Sequence, residues 1–165
     1  MIRQMTLEDI RDVQYIALTS WRHTFQDDIP SEVLEEFINR SYSELMLRKQ
    51  LEKTTILIAT DLQGLPVGYL SHTPIDEDGE CEVTALHVLP SHLESGYEEL
   101  LLNAALDLLH SAQRIDVYVD ERANELQHFY VDHGFLHVES FPELFEGIPV
   151  ETIHYSLPAR QPVYM

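Results

Sequence analysis

The stretch TALHVLPSHLESGYEELLLNAALDLL, residues 84–109, decides the fold. It begins as an apolar strand, passes a proline and a short turn that contains Gly96, and continues as a long amphipathic helix. The residues expected on the apolar face of this helix are Tyr97, Leu101, Ala104, Ala105 and Leu108. A strand, a tight turn and a helix in this order are typical of sites where a helix N-terminus holds a phosphate. The turn and the start of the helix also carry carboxylates that would repel a phosphate, namely Glu94, Glu98 and Glu99.

The rest of the chain alternates between segments of helical and of strand character. Strands are predicted at residues 2–5, 54–60, 66–72, 81–88, 115–119, 135–138 and 150–157. Helices are predicted up to about Thr24, around residues 33–38, after a Ser41–Glu44 capping box, over residues 96–110 and over residues 124–132. The last of these is expected to end at His133 and Gly134, a good pair for a helix C-terminus.

This order of elements indicates one mixed sheet. A meander of strands followed by strand–helix–strand is typical of an α/β protein, and the crossover helix should place strand 81–88 beside strand 115–119 in parallel. No repeat or linker interrupts the pattern, so we predict a single domain over residues 1–158 and a C-terminal tail over residues 159–165.

The amino-acid composition of the chain favours some classes of binding partner over others. The net charge of −19, from 29 acidic and 10 basic residues, disfavours nucleic acid and anionic membranes and favours a cationic ligand, although solubility alone also explains it. No run of 18 or more apolar residues and no secretory signal is present, so we expect a cytoplasmic protein without a membrane span. The one cysteine, Cys81, is expected to be a buried, inert thiol.

No motif indicates a metal, a nucleotide or a hydrolytic nucleophile. The nine histidines are scattered over different elements, and the chain has no HExxH and no C-x-x-C pair, so we expect no metal site. G-x-S-x-G and P-loop sequences are also absent from the chain.

Two local motifs in their order identify a resemblance. ALHVLP, residues 85–90, with the turn and helix that follow, and HFYVDHGF, residues 128–135, together resemble the GNAT family of N-acetyltransferases. The resemblance covers nearly the whole chain. It implies a mostly antiparallel sheet with one parallel strand pair flanked by helices. It also implies transfer of an acetyl group from acetyl-CoA to a primary amine by direct attack; the acidic composition would suit a small cationic amine.

The resemblance also implies a site for acetyl-CoA. Backbone groups of Leu86, His87 and Val88 would bind the pantetheine arm, and the turn would bind the pyrophosphate through Ser95, Gly96, Tyr97 and Glu98. Asn124 lies one residue from the position of a family asparagine that touches the CoA arm, and the alternative is that it caps the helix that follows. Only Gly96 matches the family's turn pattern, so the alternative is a catalytically silent protein of this fold that acts as a binding or interaction module.

Two residues fall where the family places catalytic groups. Tyr130 corresponds to the tyrosine that protonates or contacts the departing CoA thiolate, and the alternative is a core tyrosine packed with its aromatic neighbours. Glu82, or its neighbour Glu80, corresponds to the carboxylate that deprotonates the amine, and the alternative is a solvated charge at the end of a strand. Dimers are common among relatives, so the resemblance also admits a homodimer paired through the terminal strands.

Overall fold

A computed structural model describes residues 1–159. All of the predicted C-terminal tail except Ala159 lies outside the described residues. The chain divides into two compact units. The first holds residues 1–74 and 84–108, and the second holds residues 75–83 and the described chain from residue 109 to residue 159. Strand β4 (Glu80–Val88) therefore contributes residues to both units.

The first unit combines a strand hairpin with four helices among the described residues. Its elements are β1 (Ile2–Gln4), α1 (Ile10–Phe25), α2 (Ser31–Ser41), α3 (Glu44–Lys53), β2 (Thr55–Thr60), β3 (Pro66–His72), the second half of β4, and α4 (Tyr97–Leu108). Strands β1, β2 and β3 pair in antiparallel order, and β2 and β3 are the two consecutive strands predicted at residues 54–60 and 66–72.

Helix α1 covers one face of this hairpin because its apolar residues recur three and four positions apart. Val13, Ile16 and Ala17 are fully buried in a cluster that includes Ile58 and Tyr69 of the strands. A turn of 3-10 helix, residues 7–9, precedes α1. It is fixed by Asp9, whose carboxylate accepts two hydrogen bonds of 2.8 Å from Arg3 and one from the Thr6 backbone N–H.

The second unit holds a long terminal hairpin. Its elements are the first half of β4, then β5 (Arg114–Asp120), α5 (Asn124–Asp132), β6 (Leu136–Phe145) and β7 (Ile148–Pro158). Strand β7 pairs in antiparallel order with both β5 and β6. The predicted strand over residues 135–138 is too short, because β6 continues through Pro142 to a tight turn at Glu146 and Gly147, both at positive φ.

Within residues 1–159, the strands form a seven-stranded sheet in the order β1-β2-β3-β4-β5-β7-β6. The predicted parallel neighbours are confirmed, with residues 80–82 of β4 opposite residues 114–116 of β5. The mixed, mostly antiparallel fold is therefore the one expected. The predicted cap of α3 is wrong by two residues: Ser43, not Ser41, accepts the Met46 N–H, while Ser41 ends α2. None of the helices described is long and apolar enough to span a bilayer.

Candidate active site

The predicted phosphate-binding segment lies in the first unit as one continuous strand, turn and helix. After β4 the chain forms a 3-10 helix over Pro90–Ser95 and reaches Gly96 at φ 84°, a left-handed conformation that favours glycine. Helix α4 then starts at Tyr97, one residue later than predicted. Its first N–H groups have no partner within the helix, as at every helix N-terminus, so Ser95, Gly96 and Tyr97 lie where an anion would be held.

The three glutamates of this segment lie in two elements, Glu94 in the 3-10 helix and the other two in α4. Glu98 and Glu99 occupy the first turn of α4, where acidic side chains stabilise the positive end of the helix dipole. Glu98 is half-buried, whereas Glu94 and Glu99 are exposed. The first turn of α4 therefore combines a helix terminus that attracts anions with carboxylates that repel them.

The strand segment before the turn is tightly packed. The side chains of Leu86 and Val88 are buried, and a Cβ atom placed on Gly68 of β3 would lie 2.9 Å from Val88 Cγ2 and 3.0 Å from the carbonyl oxygen of His87. Gly68 thus permits the close approach of β4 to β3. This packing fixes the backbone of residues 86–88, the segment for which the sequence predicts backbone contacts to the cofactor.

His87 points its ring into an aromatic cluster. Its centroid lies 5.5 Å from that of Tyr69 and 6.1 Å from that of Trp21, and its Nδ1 is 2.9 Å from the Ser20 hydroxyl oxygen. Burial lowers the pKa of His87 to about 4, because the imidazolium would lose its hydration there. The ring is therefore neutral at pH 7. The Tyr69 hydroxyl donates to the Tyr42 hydroxyl at 2.8 Å beside it.

In the second unit, Glu82 and Glu80 occupy different environments. Glu80 accepts a hydrogen bond of 3.1 Å from Arg114, which neutralises its charge at the surface. Glu82 is half-buried, and burial raises the pKa of its carboxyl group. The negative charge of Asp116 raises it further, while His154 opposes the effect. Glu82 is thus a predicted candidate whose carboxyl group holds a proton more readily than usual.

Tyr130 is held on α5 by aromatic packing. Its ring lies 5.1 Å from that of Phe135, and its carbonyl oxygen accepts the Phe135 N–H after the chain reverses at Gly134, φ 91°. The side chain is only 3% exposed, and burial raises the pKa of the phenol well above its usual value. No residue among 1–159 hydrogen-bonds to its hydroxyl group. Tyr130 is therefore a packed residue whose hydroxyl group stays protonated at neutral pH.

Asn124 does not cap α5. The N-cap position is Ala123, and Asn124 is the exposed first residue of the helix. The alternative role as a helix cap is therefore wrong, and its contact with the CoA arm stays a prediction. A side chain that the sequence did not single out anchors α5: Gln127 accepts a hydrogen bond of 3.0 Å from the Tyr155 hydroxyl and donates to the Glu121 carbonyl.

The predicted residues divide between the two units. Leu86, His87 and Val88 share the first unit with the turn, whereas Glu82, Asn124 and Tyr130 belong to the second. Two polar contacts escaped the sequence analysis, Ser20 with His87 and Asp116 with His154. No local motif marks either pair, because the partners lie far apart in the chain. Among residues 1–159, no group of three His, Cys, Asp or Glu side chains is arranged to hold a metal ion.

Comparison with known proteins gives consistent matches. The model of the acetyltransferase (GNAT) family matches residues 12–135. The uncharacterized N-acetyltransferase YuaI of Bacillus subtilis is 26% identical over 126 residues, which cover 73% of this chain and 72% of that protein. The solved structure of the PaiA N-acetyltransferase from Thermoplasma acidophilum in complex with coenzyme A has a TM-score of 0.79 at 19% identity, covering 96% of this chain and 98% of that one.

A further solved structure, a variant of the spermidine N-acetyltransferase SpeG from Vibrio cholerae, has a TM-score of 0.71 at 16% identity and covers 96% of this chain and 94% of its own. At such identities the structural likenesses show the fold alone. The family model covers most of the chain, from α1 to the residue before β6, and includes both sequence motifs. This chain belongs to the acetyltransferase (GNAT) family.

Proposed function

We propose that the protein is an N-acetyltransferase that moves the acetyl group of acetyl-CoA to a primary amine. The observation that carries the proposal is the strand, 3-10 turn and helix of the first unit, in which left-handed Gly96 leads into the N-terminus of α4. Family membership supports acetyl-CoA as the co-substrate, and a solved structure with the same fold contains coenzyme A.

The chemistry needs one base and one acid. The neutral amine attacks the thioester carbonyl carbon, the carbon–sulfur bond breaks, and the thiolate of CoA leaves as the amide forms. We assign the base to Glu82, because its raised pKa makes it a better proton acceptor than an exposed carboxylate. We assign the acid to Tyr130, whose hydroxyl stays protonated at neutral pH and can give a proton or a hydrogen bond to the thiolate.

The amine is proposed to be a small cation. The chain carries a net charge of −19, which attracts cations over long range. The second unit adds two carboxylates, Asp76 and Asp78, in the turn that leads into the strand of the assigned base. A protein with the same fold is named as a spermidine N-acetyltransferase, which makes polyamines the first amines to test.

A second candidate function rests on the glutamates of the turn. Two carboxylates in the first turn of α4 satisfy the positive end of the helix without a ligand. If they occupy the place of the pyrophosphate, the protein is a catalytically silent member of the family that binds another partner.

Calorimetric titration with acetyl-CoA at low salt separates the two functions. An acetyltransferase should bind acetyl-CoA at micromolar concentrations, more weakly as salt rises, and should then acetylate at least one amine in a screen that begins with spermidine. Absence of heat and of any thermal shift up to millimolar acetyl-CoA would overturn the proposal and favour the silent protein.

A further inference from the structure

Beside the proposed base, on the neighbouring strands, lies a buried acid–histidine pair. Nε2 of His154 on β7 is 2.7 Å from Oδ1 of Asp116 on β5, and each residue is only 7% exposed. The His154 ring stacks on Tyr118, with centroids 4.5 Å apart and an angle of 18° between the planes. Asp116 also accepts a hydrogen bond of 3.1 Å from Arg114. The imidazole and the carboxylate are therefore held in one orientation by contacts from two strands.

The pair is a neighbour of Glu82 in the sheet. Glu82 lies directly opposite Asp116 in the parallel ladder, so the two side chains share a face of the sheet. Tyr118, two residues beyond Asp116 on β5, lies on the same face and opposite His154. Five other groups near this face are charged or titratable and surround the three side chains: Glu80, Arg114, Tyr118, Asp120 and Glu139.

Folding alone does not call for such a pair. A buried ionisable pair is often no more stabilising than apolar residues of the same size, and it leaves a costly charge if either partner is lost. Two carboxyl groups side by side also repel each other, and a cation beside one of them relieves that repulsion. His154 is placed to do this for Asp116.

We propose that Asp116 and His154 are positioning residues that set the charge beside Glu82 and so adjust its readiness to take the proton of the amine. The inference rests on the proposed function, because it takes Glu82 as the base. Protonated His154 compensates the negative charge of Asp116, so that Glu82 remains the one of the two carboxylates that exchanges its proton with the substrate. The proton passes from the amine nitrogen to a Glu82 oxygen as the nitrogen–carbon bond forms.

The test compares His154→Gln with the double variant His154→Gln/Asp116→Asn. A glutamine amide can still donate to Asp116 but carries no charge, so the uncompensated carboxylate should move the acidic limb of the kcat/KM profile to higher pH. Removing that carboxylate in the double variant should return the limb towards its original position. Glu139→Gln, opposite His154 on exposed β6, is the matched control and should shift the limb least.

A titration of the unaltered protein by NMR gives a readout that needs neither activity nor folded variants. The signals of the Glu82 carboxyl carbon and of the His154 ring are followed together, and the inference requires each to respond when the other group gains or loses its proton. The inference would be overturned if the curves of Glu82 and His154 were independent. It would also be overturned if the Asp116→Asn substitution did not restore the kcat/KM profile that His154→Gln had shifted. Neither result would contradict the proposed function. If the two curves are coupled but the protein acetylates no amine, the electrostatic interaction between Glu82 and His154 would stand and the proposed function would be wrong.

Discussion

Gly68 offers the sharpest test of how the first unit holds β4. A Cβ atom at this position would lie 2.9 Å from Val88 Cγ2, 3.0 Å from the His87 carbonyl oxygen and 3.3 Å from Leu101 Cδ1. Favourable carbon contacts lie at about 3.5–4.0 Å, so Gly68→Ala must push β4 or α4 away by several tenths of an ångström. Val88 cannot easily turn aside, because its branched side chain is buried and stiff at χ1.

The expected cost follows from these overlaps. Overpacking a well-filled core typically costs about 1–3 kcal/mol, and the more restricted unfolded state of alanine offsets about 0.4–1 kcal/mol of that. We therefore expect Gly68→Ala to lower the free energy of unfolding by about 1–2 kcal/mol in a urea titration. Because the displaced strand contains residues 86–88, the affinity for acetyl-CoA should fall as well.

Two further variants control this prediction. Gly64→Ala meets no atom within 4 Å but has φ 82°, so its cost of about 1–2 kcal/mol should come from backbone strain and leave acetyl-CoA affinity unchanged. Val88→Ala removes the methyl group nearest to the new Cβ, so combining it with Gly68→Ala should cost less than the sum of the single changes. A Gly68→Ala protein as stable as the original, with additive effects in the double variant, would refute the reasoning.

Three more predictions concern single side chains. Asp9→Asn should lower the free energy of unfolding by about 1–3 kcal/mol at pH 7, a range that allows for solvent screening at the partly exposed Arg3. Because folding lowers the pKa of Asp9, the difference should begin to shrink below about pH 4, where the unfolded chain takes up the proton, and should vanish only at the lower pH at which the folded carboxyl is protonated as well. Glu98→Gln should tighten acetyl-CoA binding about fivefold at low salt, and less at high salt, relative to Glu99→Gln; equal affinities would contradict the repulsion. Tyr130→Phe should lower kcat about 100-fold while thermal melting stays nearly unchanged, and an unchanged kcat would remove its role as acid.

Elements with strong local signals could be predicted from the sequence to the residue. β3 begins at a proline after a turn and ends at residue 72, and α5 ends before the Gly134 reversal; both bounds were as predicted. The β6 strand was missed beyond residue 138, because it carries Pro142 and little apolar alternation. An edge strand tolerates both features, but only pairing with β7 reveals that it continues.

The buried face of α4 shows a second limit. Leu101 and Ala105 were expected on it and are buried, but Leu108 is 52% exposed and Leu102, not predicted, is fully buried. The periodicity of the sequence shows which residues share the apolar side of a helix. Which of them are fully buried depends on the strands against which the helix packs. The same reason hides Asp116 and His154, since strand register and not sequence spacing brings them into contact.

The two candidate functions differ most in features that folding does not require. Gly96 does not separate them, because its left-handed backbone favours glycine with or without a ligand and a Cβ there would meet no atom within 4 Å. The hydroxyl of Tyr130 is different: it is part of a side chain buried to 97% by packing, yet no residue among 1–159 hydrogen-bonds to it, and phenylalanine would pack as well. The buried Asp116–His154 pair likewise risks an uncompensated charge that apolar residues would avoid. A silent protein would have no catalytic use for either feature, whereas the proposed acetyltransferase would use both, and this asymmetry favours the enzyme despite the glutamates of the turn.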